Sequence, residues 1–126
     1  MEEKNIMNDY QMGVIESRFA DIIWQNEPIT STELAKKSEE ELGWKKSTTY
    51  TVLKRLCEKG IFQNNSGKVS SVISKSDFYS IQSEKFVEET FNGSLPAFLA
   101  AFTARKNLTE QEVEQLRQLV REYEEG

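Results

Sequence analysis

WKKSTTYTVLKRLCEKGI, residues 44–61, is the stretch that decides the fold of this chain. It begins polar and basic, and apolar residues then recur at helical spacing, namely Val52, Leu53, Leu56 and Cys57. One stripe of the predicted helix can therefore pack inward, and Gly60 predicts where the helix ends. The outward positions carry hydroxyls and cations, which are Ser47, Thr48, Tyr50, Thr51, Lys54 and Arg55, preceded by Lys45 and Lys46.

A face of hydroxyls and cations suits a helix that lies in a DNA major groove. Lys and Arg neutralise phosphates, whereas Ser, Thr and Tyr side chains reach base edges. The alternative is an ordinary solvated helix face, which is the usual fate of such residues. The charge distribution favours DNA, because residues 44–76 carry seven cations and one acid although the whole chain has a net charge of −5. A local basic patch matters more for DNA binding than the net charge of the chain.

Length and composition exclude several classes of protein. A chain of 126 residues holds one ordinary domain or two very small ones. It has no histidine and one cysteine, so we expect no enzyme, no metal site and no cofactor. The first residues are acidic and lack the apolar run of a secretory signal, and no stretch is long enough to span a membrane. Together with the lone Cys57, these features predict a cytoplasmic protein.

The order of elements up to residue 75 predicts a winged helix. Residues 1–12 are predicted to be a loose acidic start, and an amphipathic helix then runs from Val14 to about Trp24. A short helix follows, capped by Thr30 with Glu33 and ended by Gly43. After the basic helix, residues 61–63 and 68–74 favour two paired strands joined by the turn residues 64–67. A helix-turn-helix with such a hairpin is a winged helix-turn-helix domain, and Lys68 would meet phosphate at the tip of the wing.

Residues 76–126 are predicted to form a separate helical domain that dimerises. Thr109 and Glu112 have capping-box spacing, and Pro96 suits a first helical turn. The region has more apolar side chains than so small a bundle can hide, so a second copy of the chain is the expected cover. The alternative is that they cover the winged helix within one monomer. The candidate dimerisation residues are Phe86, Phe91, Leu95, Phe98, Leu99, Phe102, Leu116 and Leu119.

Several motifs in this order resemble the BlaI/MecI family of penicillinase repressors, which includes the copper repressor CopY. The motifs are Trp44-x-x-Ser47-Thr48-x-x-Thr51-x-Leu53-x-Arg55-Leu56-x-x-Lys59-Gly60, Ile22-Ile23-Trp24 with Glu16 upstream, Thr32-Glu33-Leu34, and the run from Asn92-Gly93 through Phe102 to Arg117. The resemblance implies a homodimeric winged-helix repressor on a palindromic double-stranded DNA operator. It places Ser47, Thr48, Tyr50 and Thr51 towards the groove, with Lys46, Lys54 and Arg55 nearby. Arg55 is equally well interpreted as a structural ion-pair partner.

Two departures from the family pattern bear on regulation. The copper branch senses metal through a C-terminal cysteine cluster, which this chain lacks, so copper sensing by that route is excluded. The β-lactam branch is switched by proteolysis at a bond that matches Ala101–Phe102, and this implies a regulatory protease as a partner. Ala101 stands where that branch commonly has Asn.

The sequence therefore predicts a mainly α-helical protein with a small β wing, composed of a winged helix-turn-helix domain (residues 1–75) and a helical dimerisation domain (residues 76–126). The predicted function is sequence-specific repression of transcription, relieved when the C-terminal dimer contact is disrupted. The alternative is a winged helix that binds another protein and does not read DNA. The operator, the regulated genes and the inducing signal are left open.

Overall fold

The computed structural model describes residues 11–126, which form six helices and three short strands in a mainly α arrangement. The elements are α1 (Val14–Asn26), β1 (Ile29–Thr30), α2 (Ser31–Leu42), α3 (Lys46–Glu58), β2 (Phe62–Asn65), β3 (Lys68–Ser71), α4 (Lys75–Phe91), α5 (Leu95–Arg105) and α6 (Glu110–Glu125). The predicted fold class is confirmed. Of the predicted acidic start, residues 1–10 lie outside the described residues.

Local capping fixes the bounds of the helix-turn-helix. The hydroxyl of Thr30 accepts a hydrogen bond from the backbone N–H of Glu33 at 3.1 Å, which begins α2. Gly43, with φ 72°, ends α2, and its N–H donates to the carbonyl of Glu39. Gly60, with φ 85°, follows the end of α3. Because left-handed backbone suits glycine, these two positions set where each helix stops, and α2 packs against α3.

The wing has three strands rather than the predicted two. The sheet has the order β1-β3-β2 and is antiparallel, with Ile29 opposite Val69 and Phe62 opposite Ser71. The prediction missed β1 because it has only two residues, directly after a proline, and the second of them, Thr30, is the cap of α2, so no alternating pattern is visible. The turn is also shorter than predicted, since only Ser66 and Gly67 turn with positive φ and the preceding two asparagines belong to β2. A two-residue turn of this kind matches the twist of a hairpin.

The N-terminal unit (residues 11–83) contains the buried core. Its largest fully buried side chains come from helices and wing alike, namely Phe19, Ile23, Leu34, Leu56, Ile61, Phe62, Val69 and Phe78. Val14 and Ile15, at the start of the predicted amphipathic helix, are both exposed because they lie in the first turn of α1, ahead of the core contacts. The sequence places the domain boundary between residues 75 and 76. This unit extends to Ser83 because Phe78, in the first turn of α4, is part of the core.

Trp24 joins the start of α4 to the N-terminal unit. Its indole N–H donates to the carbonyl of Ile73 at 3.1 Å. Its ring lies 5.2 Å from the ring of Phe62 and 5.6 Å from that of Phe78, centroid to centroid. Such tilted ring contacts add stability beyond the area they bury.

The C-terminal unit (residues 84–126) contains the end of α4 together with α5 and α6. Thr109 and Glu112 form the predicted capping box. The backbone N–H of Glu112 donates to the hydroxyl of Thr109 at 3.0 Å, and the backbone N–H of Thr109 donates to the carboxylate of Glu112 at 2.9 Å. The rings of Phe86, Phe91 and Phe98 meet edge to face, with centroids 5.6–6.0 Å apart. Along residues 84–126, nevertheless, no side chain is fully buried.

The inner stripe of α3 is expected to dominate the stability of the N-terminal unit. Leu56→Ala should lower the free energy of unfolding by about 2–5 kcal/mol, because it leaves a cavity at a fully buried position. Both tryptophans, Trp24 and Trp44, lie in this unit, so urea unfolding followed by their fluorescence measures it. Val72→Ala is the matched control, since Val72 is exposed, and its effect should stay within about 0.5 kcal/mol. Equal losses from the two variants would contradict this assignment of the core.

Candidate nucleic-acid interface

One side of α3 is anchored and the other is open. Val52, Leu53 and Leu56 are buried as predicted. Thr49 is also fully buried, and its hydroxyl oxygen has no hydrogen-bond partner within the described residues. Sequence reasoning missed Thr49 because a threonine among polar neighbours shows no apolar signal. All the predicted DNA-binding positions at α3 are exposed, namely Lys45, Lys46, Ser47, Thr48, Tyr50, Thr51, Lys54 and Arg55.

The outer face of α3 (Ser47, Thr48, Tyr50, Thr51, Lys54 and Arg55) is a continuous strip. Ser47, Thr51 and Lys54 follow one another at spacings of four and three residues, which brings side chains to the same side of a helix. Tyr50 lies at the edge of the strip with its side chain 38% exposed. The strip can therefore present hydroxyl, methyl, aromatic and ammonium groups to one surface.

The wing is held at its tip and at its base. At the tip, the side-chain oxygen of Asn64 accepts from the N–H of Gly67 at 2.9 Å. At the base, the carboxylate of Glu27 accepts from the N–H of Ser71 at 2.7 Å and from its hydroxyl at 3.0 Å. Lys68 follows the turn and is exposed. Sequence reasoning missed Glu27, because nothing local links residues 44 positions apart.

The cations of residues 44–76 fall into two groups. Within residues 11–126, Lys45, Lys46, Lys54 and Lys68 make no ion pair, so their ammonium groups are available to an external anion. The other three cations are held by the protein. Lys59 donates to the carbonyl of Gln11 at 2.6 Å. The Nζ of Lys75 lies 2.9 Å from Oδ1 of Asp21. The hydrogen bond between them and the negative charge of Asp21 raise the pKa of Lys75.

Arg55 is the third held cation, and its partner is Glu16 on α1. Its Nε and Nη2 groups both donate to Oε2 of Glu16, at 3.0 and 2.8 Å. The other carboxylate oxygen accepts from the N–H of Gly13 at 3.1 Å. Of the two interpretations of Arg55 that the sequence leaves open, the structure shows the ion pair.

The electrostatic environment of Glu16 favours its charged form. Burial raises the pKa of Glu16, but the hydrogen bonds from Gly13 and Arg55 and the charges of Arg55 and Lys59 more than offset burial. The pKa of Glu16 therefore lies below its ordinary value.

The candidate dimerisation residues form the apolar surface of the C-terminal unit. Phe91, Phe98, Leu99 and Leu116 are half-buried, whereas Phe86, Leu95, Phe102 and Leu119 are exposed. A groove of about 480 Å³ between α5 and α6 is lined mainly by apolar side chains, including Phe98, Leu99, Phe102 and Leu116. The Ala101–Phe102 bond lies within α5, and both residues are exposed.

Two other kinds of site find no support in the part of the chain that the structure describes. Residues 11–126 contain no group of three or more His, Cys, Asp or Glu side chains placed to hold a metal ion. None of their helices combines the length and apolarity that a membrane span requires.

Comparison with known proteins gives consistent matches along nearly the whole chain. The sequence model of a family described as "Penicillinase repressor" matches residues 12–122. The chain is 26% identical over 117 residues to the penicillinase repressor of Bacillus licheniformis, a match that covers 90% of this chain and 91% of that protein. It is 22% identical over 115 residues to the methicillin resistance regulatory protein MecI of Staphylococcus aureus (strain N315), covering 88% of this chain and 94% of the relative. The MecI protein of Mammaliicoccus sciuri matches to the same extent.

The Glu16–Arg55 ion pair is expected to give a stability contribution that disappears in acid. Arg55→Gln should lower the free energy of unfolding at pH 7 by about 0.2–1 kcal/mol, a small value because the Arg55 side chain is 50% exposed. Because the folded-state pKa of Glu16 is lowered, the contribution is present above the unfolded-state pKa and is lost as the pH falls through the folded-state pKa. Urea unfolding at several pH values from neutral to acid, followed by tryptophan fluorescence, measures this difference.

Lys54→Gln is the matched control, because Lys54 is a cation on the same helix without an ion pair among the described residues. Its effect on the free energy of unfolding should be small and should not follow the titration of Glu16. A difference between wild type and Arg55→Gln that stayed constant down to acid pH would contradict the stabilising role of the pair.

Proposed function

This chain belongs to the penicillinase repressor family, and we propose that it is a sequence-specific DNA-binding repressor of transcription that acts in the cytoplasm as a homodimer on a palindromic operator. The observation that carries this proposal is the outer face of α3, where exposed hydroxyls lie beside Lys54, which makes no ion pair within residues 11–126, on a helix whose opposite side is buried in the core. A rigidly held helix with such a face has the chemistry to enter a major groove.

Within the interface, we assign different tasks to hydroxyls and cations. Ser47, Thr48, Tyr50 and Thr51 would contact base edges, since hydroxyls both donate and accept and the methyl group of Thr fits that of thymine. Lys45, Lys46, Lys54 and Lys68 would neutralise phosphates on the two sides of the groove. Phosphate contacts fix the position of the protein on the duplex, and base contacts select the sequence.

The C-terminal unit supports the homodimer part of the proposal. Its residues 84–126 bury no side chain completely, although they include four phenylalanines and five leucines. A bundle of this size gains little from its own core, and exposed apolar patches of this kind mark interaction surfaces. A second copy supplies an identical apolar surface through a twofold axis, and it brings a second α3 for the second half-site.

Relief of repression would follow from loss of the dimer. A monomer contacts one half-site only and loses the effective-concentration gain of binding both. Cleavage at Ala101–Phe102 by a regulatory protease would separate α6 from the rest of the chain and disrupt the dimer surface. Because this bond lies within the helix α5, the protease would need α5 to open locally before it could bind the backbone.

The first test compares a proposed base contact with a proposed phosphate contact. In gel-shift titrations, the wild-type protein should prefer one fragment of its own promoter, with two half-sites separated by one or more helical turns. Thr51→Ala should reduce discrimination among variants of that operator by about 1–3 kcal/mol. Lys68→Ala should weaken binding to all fragments alike and reduce the slope of log K against log salt by about 0.9.

These titrations also separate the two functions that the sequence left open. Equally weak binding of the wild type to every fragment at physiological salt would exclude sequence-specific repression and favour a protein-interaction module. If the wild type shows a preferred operator but Thr51→Ala retains the full preference, the base-contacting residues lie elsewhere on α3.

The second test concerns the dimer. Phe102→Ala should shift the protein towards monomer and weaken operator binding, because Phe102 would be buried against the partner in the proposed dimer. Truncating a buried phenylalanine costs about 3–5 kcal/mol, and a twofold dimer loses it twice. Sedimentation of both proteins at micromolar concentration, with operator titrations alongside, measures the shift. Tyr79→Ala removes a partly exposed aromatic ring from the N-terminal unit instead and should remain dimeric. A Phe102→Ala protein that remained dimeric and bound operator normally would place this residue outside the interface.

A further inference from the structure

Arg55 belongs to the outer face of α3, yet its guanidinium is tied to another helix. We propose that Glu16 is a positioning residue that holds Arg55 away from DNA phosphates, and that it thereby limits binding to non-specific DNA. This inference rests on the proposed function of α3 as the DNA-reading helix. Glu16 would thus contribute to sequence discrimination although it lies on α1 and not on the DNA-reading helix.

The geometry makes Glu16 the fixed partner of the pair and Arg55 the exposed one. One carboxylate oxygen of Glu16 accepts from the backbone N–H of Gly13, and the other accepts two N–H groups of Arg55. The side chain of Glu16 is 20% exposed and that of Arg55 is 50% exposed. A few residues further along α1, Phe19 and Ile23 are fully buried in the core. The backbone of α1 is therefore anchored, and the bond to Gly13 restrains the carboxylate further if the guanidinium moves towards DNA.

The pair also changes the charge that DNA meets. Thr51 and Arg55 are four residues apart and lie on the same side of α3, so an unpaired Arg55 would add a cation to the outer face next to Lys54. In the ion pair, the positive charge of Arg55 is largely compensated, and a phosphate that approaches it also meets a carboxylate. Two donors of the guanidinium, Nε and Nη2, are directed at one oxygen of Glu16 in charge-assisted hydrogen bonds.

An extra free arginine would act mainly on non-specific binding. Phosphate contacts carry no direct sequence information, and they supply essentially all of the affinity for non-specific DNA. On the operator, base contacts fix the position of α3 and limit the reach of Arg55. On other sequences the protein can shift its register until a long, flexible side chain finds a phosphate. Releasing Arg55 should therefore raise non-specific affinity more than operator affinity. The ratio of operator affinity to non-specific affinity should fall.

The experiment uses Glu16→Gln in the full-length protein, with fluorescence anisotropy on an operator fragment and on an unrelated fragment of equal length. The substituted glutamine is isosteric with glutamate and its amide oxygen can still accept from Gly13, but it carries no charge to hold Arg55. We expect the slope of log K against log salt on the unrelated fragment to steepen by about 0.9, which amounts to a roughly threefold greater loss of affinity between about 50 and 200 mM salt. The ratio of operator affinity to non-specific affinity should fall.

Three further variants identify the cause of that change. Arg55→Gln should leave the wild-type slope unchanged, whereas Lys54→Gln should reduce it by about 0.9, because of these two cations Lys54 alone is proposed to contact phosphate in the wild type. The double variant Glu16→Gln/Arg55→Gln should return to the wild-type slope. Glu40→Gln removes an exposed acid from α2 without releasing an arginine, and it should also keep the wild-type slope, which excludes a mere change in net charge.

Three results would contradict the inference. If Arg55→Gln reduces the slope as much as Lys54→Gln does, Arg55 contacts phosphate in the wild type and Glu16 supports that contact. If Glu16→Gln folds, as judged by circular dichroism, but leaves the slope and the affinity ratio unchanged, the pair is only structural. If the wild type itself shows no operator preference, the proposed function fails together with the inference; a normal operator preference combined with either of the first two results refutes the inference alone.

Discussion

The burial of one side of α3 is the interaction on which the rest of the structure depends. Val52, Leu53 and Leu56 insert into a core shared with the other helices and the wing, and α3 packs on both α2 and β2. Because this packing fixes the rotation of α3, it also fixes the direction in which each residue of the outer face leaves the helix. Discrimination between bases requires such precision, since a hydrogen bond to a base edge fails when a side chain is misplaced by a fraction of an ångström.

The features that could be predicted from the sequence are those that depend on residues close together in the chain. The inner stripe of α3, the stops at Gly43 and Gly60 and the capping box of Thr109 each depend on residues within one or two helical turns. Contacts between distant residues have no such pattern. Glu16 and Arg55 are 39 positions apart, and β1 is defined only by its pairing with β3. The polar residues that position the candidate interface were therefore harder to find than its apolar anchor.

The two units bury their phenylalanine side chains to very different extents. The N-terminal unit hides Phe19, Phe62 and Phe78 almost completely, whereas the C-terminal unit leaves Phe86 and Phe102 about half exposed. Both units contain helices with side-chain caps, such as Thr30 in the first and Thr109 in the second, so the difference does not come from secondary structure. It comes from the lack of a second layer, because within residues 84–126 only the last turns of α4, and no sheet, are present to cover the apolar sides of α5 and α6. In the proposed homodimer a second copy would supply the missing layer, and the unit would then be a suitable place to control the repressor.

The acidic character of the chain is compatible with DNA binding because some cations have acidic partners and others, near α3 and the wing tip, have none within residues 11–126. Asp21 and Glu16 neutralise Lys75 and Arg55, whereas the four lysines proposed to contact phosphate have no acidic partner within the described residues. A net charge of −5 then weakens the attraction to polyanions at long range, where it depends on the whole charge distribution. At contact distance, screening by salt leaves only nearby charges effective, and residues 44–76, which include α3 and the wing tip, carry seven cations against the single acid Glu58. For the proposed repressor, this charge distribution would give little affinity for DNA in general and would make tight binding depend on a matching sequence, which is the balance that a repressor of specific genes requires.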